Sequence, residues 1–198
     1  RFDICYAVSV VSQFLQNPKK VHCDLVRHIY QYLRGSPTLK LNYSRDSALK
    51  LEGFVDASYA NHFKYASTSG YVMTLGGSAI SWNSKRQSTV ALSAAEAEYI
   101  AATDAGKECI WWKSFLKPFK LAQETITLHE DNQAAIALSK NPQFHDRTKH
   151  IQVKYHWIRE QISKGTFKLT YINTKNQLAD LLTKALQGFV LRPLYRRL

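Results

Sequence analysis

The chain has 198 residues, 45% of them hydrophobic and 21% charged, which supports a buried core and argues against an intrinsically disordered segment. Lys plus Arg number 27 against 15 Asp plus Glu, a net charge of +12, and a field of that sign draws in polyanions, so nucleic acid is the first partner class to weigh. Cys5, Cys23 and Cys109 have no CxxC spacing and argue against a disulfide framework or a structural zinc site, and no apolar run approaches the ~20 residues that span a bilayer. An intracellular, reducing compartment and no membrane partner are therefore expected. The opening Arg1-Phe2-Asp3 is neither a signal peptide nor a methionine start, and the sequence reads as an excised piece of a longer chain.

In chain order, residues 3–34 predict two helices with a break at Asn17-Pro18, the second carrying Leu25, Ile29, Tyr32 and Leu33 at helical spacing. Gly35-Ser36-Pro37 stops it. The texture then changes to short Val, Ile, Tyr, Phe, Thr and Trp runs, predicting strands at Leu49 to Ala57, Ser69 to Leu75 and Ala79 to Val90, with Gly76-Gly77 as a hairpin turn. Residues 93–117 predict a long Ala-rich helix that opens with a capping box from Ser93 to Glu96. A fourth strand, Thr125 to Glu130, leads into a short helix from Asn132. A helix follows from Lys149 to Ser163, then a strand at Phe167 to Ile172 and a last helix from Asn176 to Leu186. The expected fold is α/β: a five-stranded mixed sheet in the order βββαβαβα, flanked by helices and preceded by a short helical segment.

Four carboxylates fall where this order would gather them. Asp56 ends the first strand and Asp131 ends the fourth, and open sheets place their sites at strand ends. A helix drawn through Glu98 puts Ala101, Ala102, Ala105, Cys109, Trp112 and Leu116 on the same side, so this carboxylate sits on a packing face, where it is costly unless paired. Asp180 opens the final helix. Three have a plainer reading, Asp131 as the cap of the next helix, Asp56 as a turn residue and Asp180 as a surface partner of Lys184, whereas Glu98 has the weakest one. If the four converge, hard divalent cations compensate their charge: two Mg2+ ions, with Mn2+ as substitute, activate a water and stabilise a leaving oxygen at a phosphodiester.

At these residues the order Asp, Glu, Asp, Asp, with Glu98-Tyr-Ile-Ala101, Asp131-Asn-Gln and Asn176-Gln-Leu-Ala-Asp180, resembles the ribonuclease H family. Ser67-Thr-Ser-Gly-Tyr-Val, Ile80-Ser-Trp-Asn-Ser-Lys-Arg-Gln, Glu96-Ala-Glu-Tyr, Thr148-Lys-His-Ile and Ala179-Asp-Leu-Leu-Thr-Lys resemble its copia-type retrotransposon branch. Phe2-Asp3-Ile-Cys-Tyr-Ala and Arg34-Gly35 resemble the tail of the reverse transcriptase that precedes it in such Pol polyproteins. The resemblance implies an endonuclease that hydrolyses the RNA strand of RNA/DNA hybrids by two-metal catalysis during reverse transcription. It makes Asp56, Glu98, Asp131 and Asp180 the catalytic metal ligands. It also implies a reverse transcriptase partner domain and a setting in a cytoplasmic virus-like particle or the nucleus. The expected organisation is 1–45 as the reverse transcriptase remnant, 46–188 as the ribonuclease H domain and 189–198 as a basic tail.

Lys85, Arg86, Asn132, Gln133 and His150 are the candidates for nucleic-acid contact, with Trp82 either beside them or in the core. The sequence departs from the copia-type pattern after the first Asp, where Ser58 and Tyr59 replace an acidic residue and a Trp, and at Lys64 to Ala66. The histidine that cellular relatives carry before the last Asp has no counterpart in Tyr171 to Gln177. These departures leave a second reading, a catalytically decayed nucleic-acid-binding remnant of a polyprotein.

Overall fold

The computed structural model describes residues 1–61, 65–140 and 152–198. Its strands are β1 (Leu51–Ser58), β2 (Thr68–Leu75), β3 (Ser78–Arg86), β4 (Ile126–Glu130) and β5 (Phe167–Tyr171). They form one sheet in the order β3-β2-β1-β4-β5. The β1–β2 and β2–β3 pairs are antiparallel and the β1–β4 and β4–β5 pairs parallel, so the sheet is mixed, as expected. Between β2 and β3, Gly76 (φ +62°) and Gly77 (φ +85°) form the two-residue turn. Both need the left-handed region that a side chain resists, which is why the dipeptide marks the hairpin. β3 stops at Arg86 rather than running on to Val90: its last register partner is Thr68, where β2 begins, so the chain beyond has nothing to pair with.

The helices are α1 (Cys5–Ser12), α2 (Lys20–Gly35), α3 (Ala94–Leu116), α4 (Gln133–Lys140), α5 (Gln152–Ser163) and α6 (Gly188–Tyr195). Asn17-Pro18 falls between α1 and α2, as the sequence predicts. At the start of α3 the Ser93 hydroxyl accepts from the Glu96 N–H (3.2 Å), while the Glu96 carboxylate accepts from the Leu92 N–H (2.9 Å), one residue earlier than a standard capping box. The predicted packing face of α3 is real. Ala101, Ala102, Ala105, Cys109 and Leu116 are all buried and Trp112 is partly so. The small residues let α3 lie close on β1 and β2.

Two apolar layers cover the sheet. With α3, α4 and α5, one layer holds Val55, Met73, Ile126, Leu128, Ile136, Ile158 and Phe167. The other gathers Phe54, Val72 and Ala79 with Phe2 from the N-terminus and Leu178, Leu181, Leu182, Leu194 and Leu198 from the C-terminus. Trp82 packs edge-on against Phe2, with ring centroids 5.9 Å apart, and belongs to this second layer.

The last expected helix is corrected. Residues 176–186 do not form an α-helix but tight 3-10 turns at Thr174–Asn176 and Leu178–Leu182. Gln177 between them is extended, and residues 178–182 are buried on every side, so no amphipathic helix can use them. Residues 189–198, read from the sequence as a basic tail, carry most of α6 and bury Leu194 in it and Leu198 beyond its end.

Candidate active site

β1 and β4 run parallel, so their C-terminal ends lie side by side, and Asp56 and Asp131 stand at those ends. Glu98 arrives on the second turn of α3. One carboxylate oxygen from each of Asp56, Glu98 and Asp131 lies within 4.8 Å of the others. Asp180 joins through an ammonium: Lys184 Nζ is 2.6 Å from Asp180 Oδ1 and 3.2 Å from Asp56 Oδ1. The structure thus brings three predicted carboxylates together directly and links the fourth to them through Lys184.

The capping alternative for Asp131 does not hold. Asn132 does that work, its Oδ1 accepting from the Ala135 N–H at 3.1 Å, so Asp131 is left to accept from the Thr174 hydroxyl at 2.7 Å. Asp56 is 1% exposed and accepts from the Thr183 hydroxyl, so it is no turn residue. Gly70, directly across from Asp56 on β2, makes that contact possible. A Cβ there would meet Thr183 Cγ2 at 2.6 Å and Leu182 Cβ at 2.8 Å.

The site concentrates negative charge where water is excluded. Burial pushes the Asp56 carboxyl up, with Lys184 and Thr183 pulling back. Glu98 is raised well above the carboxylate range by burial and then by Glu130, Asp56 and Asp131. Glu130 is pushed up to about 8 by burial, against the Asn132 N–H and with help from Asp131 and Asp56. Asp180 rises to about 6 through burial and the charge of Asp56. Despite its own burial, Lys184 is held above the usual lysine range by Asp56 and Asp180. Glu98 Oε2 and Glu130 Oε2 are buried and have no hydrogen-bond donor among the described residues. An all-oxygen set of crowded carboxylates with orphaned oxygens fits a hard divalent cation.

Sequence reasoning does not single out Glu130, although period-two alternation along Ile126, Leu128 and Glu130 places it inward and adjacent to Asp131. Thr174 and Thr183 carry no such signal, because only the folded turns aim them at Asp131 and Asp56. Lys85 and Arg86 are exposed at the active-site end of the sheet. Their register partners Ser69 and Thr68 lie opposite Ala57 and Ser58, the residues after Asp56. Gln133 is exposed on the first turn of α4, whereas the Asn132 oxygen is committed to capping. His150 lies outside the described residues.

No protein-family model matches the chain. It is 48% identical over 185 residues, 93% of its length, to the Retrovirus-related Pol polyprotein from transposon TNT 1-94 of Nicotiana tabacum. It is 38% identical over 189 residues, 94% of its length, to the Retrovirus-related Pol polyprotein from transposon RE1 of Arabidopsis thaliana. The chain belongs to the copia-type retrotransposon Pol polyproteins. This Pol segment spans 14% and 13% of those two relatives. Its fold is that of ribonuclease H. LC11-RNase H1, solved in complex with RNA/DNA hybrid, superposes with a TM-score of 0.53 at 14% identity, covering 68% of this chain and 94% of that one. Among the described residues of the Pol segment, no helix is long and apolar enough to cross a membrane.

Proposed function

We propose that this Pol segment is a hybrid-specific ribonuclease H, hydrolysing the RNA strand of RNA/DNA hybrids with two divalent metal ions during reverse transcription. The observation that carries this reading is the convergence of Asp56, Glu98 and Asp131 within 4.8 Å at the adjoining ends of two parallel strands. The hybrid is supported as substrate by the ribonuclease H1 of the same fold that binds one. The reverse transcriptase setting is supported by the Pol polyproteins to which the chain is similar.

Asp56, Glu98, Asp131 and Asp180 are the residues that would hold the ions, and Glu130 adds a further carboxylate, fully buried, beside them. Bound there, divalent ions supply a nucleophilic water and stabilise the leaving oxygen of the phosphodiester. The chain's own groups do the rest. The Thr174 hydroxyl orients Asp131, and the Thr183 hydroxyl with Lys184 orients Asp56. Lys85 and Arg86, two strands or about 10 Å across the sheet from Asp56, contact phosphates and position the duplex. A double replacement, Lys85→Ala with Arg86→Ala, is expected to flatten the slope of log affinity for hybrid against log salt by roughly 0.7–0.9 for each phosphate that is no longer neutralised. An unchanged slope would remove both residues from the interface.

The test is cleavage of a labelled RNA in an RNA/DNA hybrid by the purified chain. With Mg2+ or Mn2+ the RNA strand is cut, the DNA strand is not, and chelation stops the reaction. Salt-sensitive binding without cleavage would establish the decayed remnant instead, and equal cutting of duplex DNA would overturn the hybrid assignment.

A further inference from the structure

Gln177 is fully buried, with 0% exposure, in a segment that otherwise buries only apolar residues, alanine and the acidic Asp180. A buried amide of that size is retained only if its hydrogen bonds matter, and its partners are specific. Its Nε2 donates to Val55 O at 2.9 Å and to His129 O at 3.4 Å, while its Oε1 accepts from the Ala179 N–H at 3.3 Å. Val55 is the residue before Asp56, and His129 stands two residues before Asp131. The registered pairing of β1 with β4 ends at Phe54 and His129, so the amide sits where the two strands stop bonding to each other. One of its two acceptors, Val55 O, lies one residue beyond that pairing, and the other, His129 O, belongs to its last registered pair. Gln177 is also the residue at which the turn Thr174–Asn176 ends and the turn Leu178–Leu182 begins. The first of these turns holds the hydroxyl on Asp131, and the second carries Asp180.

We infer that Gln177 is a positioning residue that clamps β1, β4 and the Leu178–Leu182 turn at one spacing, and so sets the separation of Asp56, Asp131 and Asp180 for divalent metal binding. This inference rests on the metal-dependent reading of the site. Both amide hydrogens are used, one on each strand, which no apolar side chain can reproduce. Asparagine, one methylene shorter, gives up reach to the two carbonyls. Gln177 touches neither substrate nor metal, and it acts through the backbone of the residues that carry the ligands.

Partners in the shell behind metal ligands typically govern affinity by 10–100-fold. Gln177→Met keeps the volume and removes the donors, so Mn2+ affinity measured by calorimetry on the intact chain, well below its melting temperature, is expected to fall by about that factor. Ile158→Val, in the fully buried core of α5 away from the site, serves as a control that lowers the melting temperature while leaving Mn2+ affinity unchanged. If Gln177→Met binds Mn2+ within twofold of the parent, or if Ile158→Val weakens Mn2+ binding as much, the clamp is overturned and the metal site stands. If the parent chain itself binds no Mn2+, the metal-dependent reading falls and takes the inference with it. Should Gln177→Met fail to fold, Gln177→Asn supplies the same comparison with a polar side chain of shorter reach.

Discussion

Glu98→Gln is expected to abolish hybrid cleavage and at the same time to stabilise the metal-free protein at alkaline pH. Glu98 is 6% exposed, one of its oxygens has no donor, and three other carboxylates press on it. Its pKa in the folded chain is raised above the unfolded value, so its contribution to stability is full below the ordinary carboxylate range and is lost as pH rises through the folded value. Glu130, displaced to about 8, acts in the same direction between the ordinary range and that value. Melting temperatures of the metal-free parent should therefore fall between about pH 5 and pH 9, whereas Glu98→Gln, which keeps the shape without the charge, should fall less. With ~1–3 kcal/mol recovered from an unsatisfied buried group, the variant is expected to melt a few degrees higher than the parent at pH 8.5 and at the same temperature near pH 4.5. Mg2+ should raise the melting temperature of the parent but not of the variant. Equal melting curves at pH 8.5, or cleavage that survives the substitution, would contradict the assignment of Glu98 as a charged ligand.

Gly70→Val is expected to lower cleavage by about 100-fold or more, because ångström-scale misplacement in a reacting constellation has an effect of that order. The position opposite Asp56 has no room for a side chain: even a Cβ would come within 2.8 Å of Leu182 Cβ and 3.3 Å of the Ala179 carbonyl. Branching at that atom forces the Leu178–Leu182 turn off the sheet, and with it Thr183 and Lys184, both of which bond Asp56. Overpacking of this kind destabilises by ~1–3 kcal/mol. The informative comparison is therefore cleavage at a temperature where the variant is fully folded. Full activity there would show that the turn can retreat without moving the Asp56 carboxylate.

Much of the fold and of the site is legible along the chain. Strand and helix texture, the Gly76-Gly77 turn and the packing stripe through Glu98 each follow from local rules of spacing and conformation, and each recurs in the structure. Asp56 and Asp131 are legible as strand-end residues, Glu98 by its place on a packing face and Asp180 by the motif it stands in. Glu130 is easily overlooked because it ends a strand beside a stronger candidate, although its alternation with Leu128 points inward.

The sequence by itself determined the elements, their order and the identity of the charged groups, because these depend on periodicity and on side-chain chemistry within a few residues. Only the tertiary structure decided that Asn132 caps α4 and leaves Asp131 free for Thr174, that residues 178–182 coil as a 3-10 turn, and that α6 closes over the sheet. It also decided that Lys184, far from being a surface partner of Asp180 alone, reaches Asp56 across 128 residues of chain. Those outcomes turn on which groups are buried together, and burial sets both the conformation of a short segment and the charge its residues can carry.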